Sequence, residues 1–214
     1  MNIYEILKTE YNNLNDDEKY TLLVYKSSIS KIINDIDNPL NINKYNELKN
    51  NVSNIMNLFA KNTIYKDIDF TSYDSFIESV KKISDEINNI KNKIVLPSNV
   101  TVYRATTVKN IDEIYDISKS NLISTSLDIN VTNKFFTNDG INVLYEINLE
   151  KNTPCLVIPY SIKKINGLIK IVNDDNQNEI VLFKDTFTYD INFNTENNMV
   201  KAIVNTKLIK ELNY

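Results

Sequence analysis

From Phe76 the apolar residues recur at Val80, Ile83, Ile87, Ile90 and Ile94, in steps that alternate between four and three. That period lines one face of a helix and predicts a core-facing helix, capped by Ser72 or Asp74. Leu22, Tyr25, Ile29, Ile32 and Ile36 form a second stripe. It follows Asp16-Asp17-Glu18, whose negative charge suits a helix N-terminus. A third helix is predicted over Tyr45 to Phe59. After Pro97 the period changes. Val100 to Thr106 and Leu122 to Leu127 are short β-rich runs, and Ile141, Val143, Tyr145, Ile147 and Leu149 alternate with mostly polar neighbours, as in a half-buried strand. Cys155 to Ile158, Leu168 to Val172 and Ile180 to Phe183 are apolar runs of strand length. Phe187, Tyr189, Ile191 and Phe193 alternate again, and Val200 to Leu208 ends the series. Helices followed by many short strands predict an α+β fold in a single domain, with a helical lobe over residues 1–96 and a β-rich core over 97–214.

The chain has 214 residues, 42% of them hydrophobic, which suits one sizeable core. No apolar run is long enough to cross a bilayer. Met1 to Asn15 is polar, broken by Glu5, Lys8 and Glu10, and lacks the apolar centre of a secretory signal. The expectation is a protein acting in the cytosol of the producing or target cell, or one secreted and then freed of its signal. The net charge of −4 argues against a phosphate-backbone binder, so no nucleic-acid partner is expected. The chain is expected to act as a monomer. The lone Cys155 excludes an internal disulfide and, within an apolar run, reads as a small buried hydrophobe.

Two absences narrow the chemistry. There is no histidine, which removes Ser-His-Asp and Cys-His catalysis and His-ligated zinc. The only glycines are Gly140 and Gly167, so no P-loop or glycine-rich dinucleotide turn can be written. No metal is implied: Asp16-Asp17 and Asp174-Asp175 read as helix-start and loop charges. The basic residues are almost all lysine, with a single arginine, Arg104. A chain dominated by Asn, Ile and Lys explains scarce arginine, but not why one persists inside a predicted strand.

Three segments carry candidate chemistry. Thr101-Val102-Tyr103-Arg104 is a strand ending in the sole arginine. Leu122-Ile123-Ser124-Thr125-Ser126-Leu127 is a strand with internal hydroxyls. Gln177-Asn178-Glu179-Ile180-Val181-Leu182 delivers a carboxylate at the mouth of a strand. Each alone has an ordinary explanation as a surface ion pair, a polar strand face or a chance pattern. Their order and context together resemble the Arg/Ser-Thr-Ser/Gln-x-Glu class of mono-ADP-ribosyltransferases, and within it the single-domain Rho-directed exoenzymes. The likeness includes Tyr25 to Asn34, similar to a family helix ending in Ile-Asn, the Phe135-Phe136 pair, and Tyr189.

The resemblance implies the ADP-ribosyltransferase fold, with an N-terminal helical lobe packed on a two-sheet mixed β core. It also implies NAD as co-substrate and cleavage of the nicotinamide–ribose bond. Arg104 would hold the pyrophosphate, since a planar, permanently charged fork matches two phosphate oxygens. Glu179 would stabilise the cationic ribose, as carboxylates do in glycoside hydrolysis, and Ser124 would orient it. Thr125 and Ser126 would line the nicotinamide-ribose pocket. Phe136, ahead of Phe135, would meet the nicotinamide ring, and Asn34 would contact NAD. The relatives carry a second arginine shortly after the Ile-Asn pair, where this chain has Asp35, Ile36 and Asp37. NAD is therefore expected to bind more weakly by about one charge-assisted hydrogen bond, roughly 1.5–3 kcal/mol at most.

Gln177 bears on the acceptor. In the family, Glu at this place goes with arginine targets, and Gln with Asn, Gln or Thr side chains or, in one branch, guanine bases. A carboxamide both donates and accepts, which suits a neutral amide or a base edge. The implied partner is a host protein, with a small GTPase the first candidate. The alternatives left open are a nucleobase transferase, an NAD glycohydrolase and a non-catalytic binding module of the same fold.

Overall fold

A computed structural model describes residues 2–26, 72–166, 168–173, 178–196 and 199–209. In chain order it contains helices α1 (Ile3–Asn13), α2 (Asp16–Val24) and α3 (Tyr73–Ile90), then strands β1 (Val100–Val108) and β2 (Leu122–Ser126). A one-turn helix, α4 (Ile129–Thr132), precedes β3 (Ile141–Leu149), β4 (Cys155–Val157), β5 (Tyr160–Ile165) and β6 (Leu168–Asn173). Strands β7 (Glu179–Phe183), β8 (Phe187–Glu196) and β9 (Met199–Leu208) complete the order. The helix predicted over Tyr45–Phe59, and the second stripe from Ile29 onward, lie outside the described residues.

The chain packs as two compact units, each discontinuous in sequence. One comprises residues 1–10, 92–157 and 175–214, and the other residues 11–91 and 158–174. The lobes read from the sequence meet instead at a single boundary, between residues 96 and 97.

In the second unit, α2 starts at a capping box: the Asn15 side chain accepts from the Glu18 amide at 2.9 Å, and the Glu18 carboxylate accepts from the Asn15 amide at 3.0 Å. Ser72, rather than Asp74, caps α3, through a reciprocal pair with Ser75. Helix α3 buries Phe76, Val80, Ile83, Ile87 and Ile90, the stripe read from its period. Strands β5 and β6 form an antiparallel hairpin whose turn passes through Asn166 at φ 52°. Helix α1, whose residues 3–10 belong to the first unit, was missed in the sequence because Glu5, Lys8 and Glu10 interrupt it. Its buried positions, Tyr4, Leu7 and Tyr11, still keep helical spacing.

The first unit holds a seven-stranded mixed sheet in the order β4-β7-β2-β1-β3-β9-β8. Only the β3–β9 pair is parallel; the rest are antiparallel. Val102, Val143, Tyr145, Ile147, Ala202 and Val204 are buried along the middle of this sheet. The phenol of Tyr145 donates to the Ile114 carbonyl at 3.0 Å, and burial pushes its pKa up to about 12. Strands β4 and β7 are buried without alternation from Cys155 to Val157 and from Ile180 to Phe183, the pattern of strands covered on both faces. Strand β1 buries every third residue, Val102, Ala105 and Val108, so it departs from simple alternation where it passes Arg104.

Candidate active site

The three chemistry-bearing segments become neighbouring strands, with β2 between β1 and β7. Tyr103 of β1 lies opposite Ser126 of β2, and Ser126 lies opposite Glu179 of β7. Alternation puts Ser124 and Ser126 on one face and Thr125 on the other. Thr125 is buried, and its hydroxyl donates to the Ile180 carbonyl at 2.7 Å, bracing β2 on β7. Ser124 is exposed, and its hydroxyl donates to Glu179 Oε1 in a short hydrogen bond. Glu179 itself is half-buried.

Arg104 is half-buried and reaches β2 from the other side: its Nη1 donates to the Ser124 carbonyl at 3.0 Å. One serine therefore receives the guanidinium at its backbone and hands its hydroxyl to the carboxylate. Around these groups lies a cleft with an empty volume of about 410 Å³, open mouth included. Tyr103, Ala105, Ser126, Val131, Thr132 and Phe135 line it together with Arg104, Ser124, Thr125 and Glu179.

The segment after β2 forms the rim. The Ser126 hydroxyl accepts from the Asp128 amide at 3.0 Å, and the Asp128 carboxylate accepts from the Asn130 amide at 2.9 Å, starting α4. That turn brings Val131, Thr132 and Phe135 to the cleft. Phe135 is 54% exposed, with the Lys134 ammonium 5.2 Å from its ring centre. Phe136 is half-buried and is not among the lining residues. Beyond it the chain is tied back to β1, where the Thr107 hydroxyl accepts from the Thr137 amide at 2.9 Å. Lys109 pairs with Asp139 at 2.8 Å, and hydrogen bonds from Lys109 and Thr137 lower the exposed Asp139 carboxyl to about 2. Gly140 is required here, because a Cβ would sit 2.4 Å from the Val108 carbonyl oxygen.

Gln177 and Asn34 lie outside the described residues. Tyr103, Val131 and Thr132 were not singled out in the sequence. Asp128, an N-cap residue directly after the hydroxyl strand, was the available signal for the last two. Among the described residues, no cluster of His, Cys, Asp and Glu side chains is placed to hold a metal ion. The cleft joins a fixed cation, a carboxylate held by a hydroxyl and an exposed aromatic rim. That set suits a ligand with an anionic group, a sugar hydroxyl and a flat ring.

No protein-family model and no curated protein matches the sequence. Solved structures do match across nearly the whole chain. Vis, an ADP-ribosyltransferase toxin from Vibrio splendidus, aligns in its complex with agmatine at a TM-score of 0.51 and 14% identity, over 98% of this chain and 86% of that one. Its complex with the M6 inhibitor aligns at a TM-score of 0.50 and 15% identity, over 99% and 84%. The ADP-ribosyltransferase HopU1 of Pseudomonas syringae aligns at a TM-score of 0.51 and 12% identity, over 95% and 82%. The chain has the α+β fold of the ADP-ribosyltransferases.

Proposed function

We propose that the chain is an NAD-dependent mono-ADP-ribosyltransferase that modifies a non-arginine side chain of a host protein. The observation that carries this reading is the convergence of Arg104, Ser124 and Glu179 on one cleft, with Ser124 bonded to both.

NAD supplies an activated ribose with nicotinamide as its leaving group. The residues present fit it. Arg104 is a permanent cation fixed at the Ser124 backbone, suited to phosphate oxygens. Glu179, held by the Ser124 hydroxyl, presents a carboxylate whose direction is set before substrate arrives, so it stabilises positive charge on the sugar without reorganising. Ser126 would border the ribose, and Phe135 offers its ring for the nicotinamide in preference to Phe136, since it is Phe135 that lines the cleft. Asn34 is retained as an NAD contact on the family likeness alone.

The acceptor reading rests on Gln177, whose carboxamide pairs with a neutral amide or hydroxyl and lacks the charge to engage a guanidinium. An Asn, Gln or Thr side chain is the proposed target, with a small GTPase the first candidate. Vis, a neighbour in fold, has been solved with agmatine. Agmatine is expected to be a poor acceptor for this chain, and modification of it as fast as by an arginine-specific transferase would overturn the acceptor reading.

The test is labelled NAD incubated with the protein or with Glu179→Ala, with and without a eukaryotic cell lysate. Label on a lysate protein that disappears with the variant supports the transferase. Nicotinamide release without labelled protein points to a glycohydrolase or a nucleobase acceptor. A folded protein that leaves NAD intact is a binding module.

A further inference from the structure

We propose that Asn178 is a positioning residue for Glu179: its left-handed backbone ends the β2–β7 ladder at the cleft and so fixes the direction of the carboxylate. The proposal rests on the reading of Glu179 as the catalytic carboxylate. Among the described residues, the non-glycine positions with positive φ are Asn152 at 69°, Asn166 at 52° and Asn178 at 42°. Asn152 follows β3 and Asn166 joins β5 to β6, both ordinary places for a left-handed turn residue. Asn178 instead stands directly before Glu179, the first residue of β7. Left-handed backbone is disfavoured for residues with a Cβ, and Asn is among those that adopt it most readily.

The hydrogen bonds show what this conformation accomplishes. The β2–β7 register ends with Ser126 opposite Glu179. One step further, the Leu127 amide donates to the Asn178 carbonyl at 3.1 Å, extending the ladder by a last rung. Immediately beyond, the Asp128 amide turns to the Ser126 hydroxyl, and the partner strand is over. On the other side of Glu179, the Ile180 carbonyl is held by the Thr125 hydroxyl at 2.7 Å. Glu179 thus sits between two anchored carbonyls, those of Asn178 and Ile180, and its side chain meets Ser124 from a fixed backbone. A β-branched residue at 178 would push φ back to negative values, loosen the last rung and swing the carboxylate away from Ser124.

Because the role belongs to the backbone, glycine is expected to replace Asn178 and valine is not. Asn178→Gly should keep kcat for nicotinamide release within about twofold, since glycine reaches positive φ without a Cβ penalty. Asn178→Val should lower kcat about tenfold or more, with KM for NAD nearly unchanged because Arg104 stands on β1. Asn178→Ala is the milder variant should valine prevent folding, and its expected kcat lies between the two. A valine or alanine variant with unaltered kcat, or a glycine variant as slow as valine, would overturn the proposal. Amide hydrogen exchange at Leu127 gives a readout independent of activity. It should quicken in the valine or alanine variant and stay protected in the glycine variant. Protected exchange in all of them defeats the proposal even if turnover falls. If the unaltered protein leaves NAD intact, the functional reading fails, while Leu127 exchange still decides whether residue 178 holds the rung.

Discussion

The hydroxyl of Ser124 donates to Glu179 Oε1 across the β2–β7 pair, while the Ser124 carbonyl accepts from Arg104 at 3.0 Å. A single residue thus couples the two charged groups of the cleft through different atoms, and substitutions separate their contributions. Ser124→Ala removes the hydroxyl and keeps the carbonyl. A hydrogen bond to a charged group contributes about 1.5–3 kcal/mol, so kcat for nicotinamide release should fall roughly tenfold to a hundredfold. NAD affinity should change little, because Arg104 keeps its backbone partner. Rapid-quench measurement of nicotinamide release beside NAD-induced fluorescence quenching checks both halves; an equal loss in binding would show that Ser124 acts on NAD directly.

Arg104→Lys preserves charge and loses the planar fork. The guanidinium both reaches the Ser124 carbonyl and faces the cleft, and a lysine ammonium cannot reproduce that paired geometry. The dissociation constant for NAD is expected to rise about tenfold or more, the cost of one charge-assisted hydrogen bond. Equilibrium titration with NAD is the check, and unchanged affinity would remove Arg104 from the binding site.

Gly140→Ala should destabilise the fold without touching any cleft-lining side chain. The added methyl would meet the Val108 carbonyl oxygen at 2.4 Å and the Thr107 methyl at 2.9 Å. Overpacking of this kind costs about 1–3 kcal/mol, readable as a lowered urea midpoint. A midpoint equal to that of the unaltered protein would mean that the β3 start shifts freely from β1.

Alkaline stability should decline early. Burial pushes the Cys155 thiol from 9.0 up to about 12, and the Tyr145 phenol from 10.0 up to about 12. Both groups hold their protons more tightly when folded. Their stabilising contribution is complete below pH 9, falls as the unfolded chain ionises, and is exhausted as pH passes the folded values. Urea midpoints between pH 8 and pH 11 should fall, and less steeply for Cys155→Val. Parallel slopes for the two proteins would exclude the thiol as a source of the decline.

Much of this was legible in the sequence because the signals were local. The alternating steps from Phe76 to Ile90 produced α3, and the apolar alternation from Ile141 to Leu149 produced β3. Helix α1 was obscured by charges on its outer face, and β5 by Lys163 and Lys164, which break its apolar pattern. What the sequence lacks is the partner of each strand. That Ser126 opposes Glu179, and that Tyr103 opposes Ser126, are facts of register fixed by the whole sheet. The resemblance puts Phe136 ahead of Phe135, whereas the turn started by Asp128 brings Phe135 to the cleft, a placement with no local trace in the sequence. Asn178 was hidden by the abundance of asparagine around it, so its left-handed backbone left no compositional trace.

The lone guanidinium lining the cleft also makes the molecule a self-reporting reagent trap. Dicarbonyl compounds such as phenylglyoxal condense with guanidinium groups, and in this chain they have one place to do so. An adduct at that position raises the mass of the protein, and any molecule that fills the cleft shields it. Ligand screening can therefore be run on the intact protein by mass, with no turnover assay.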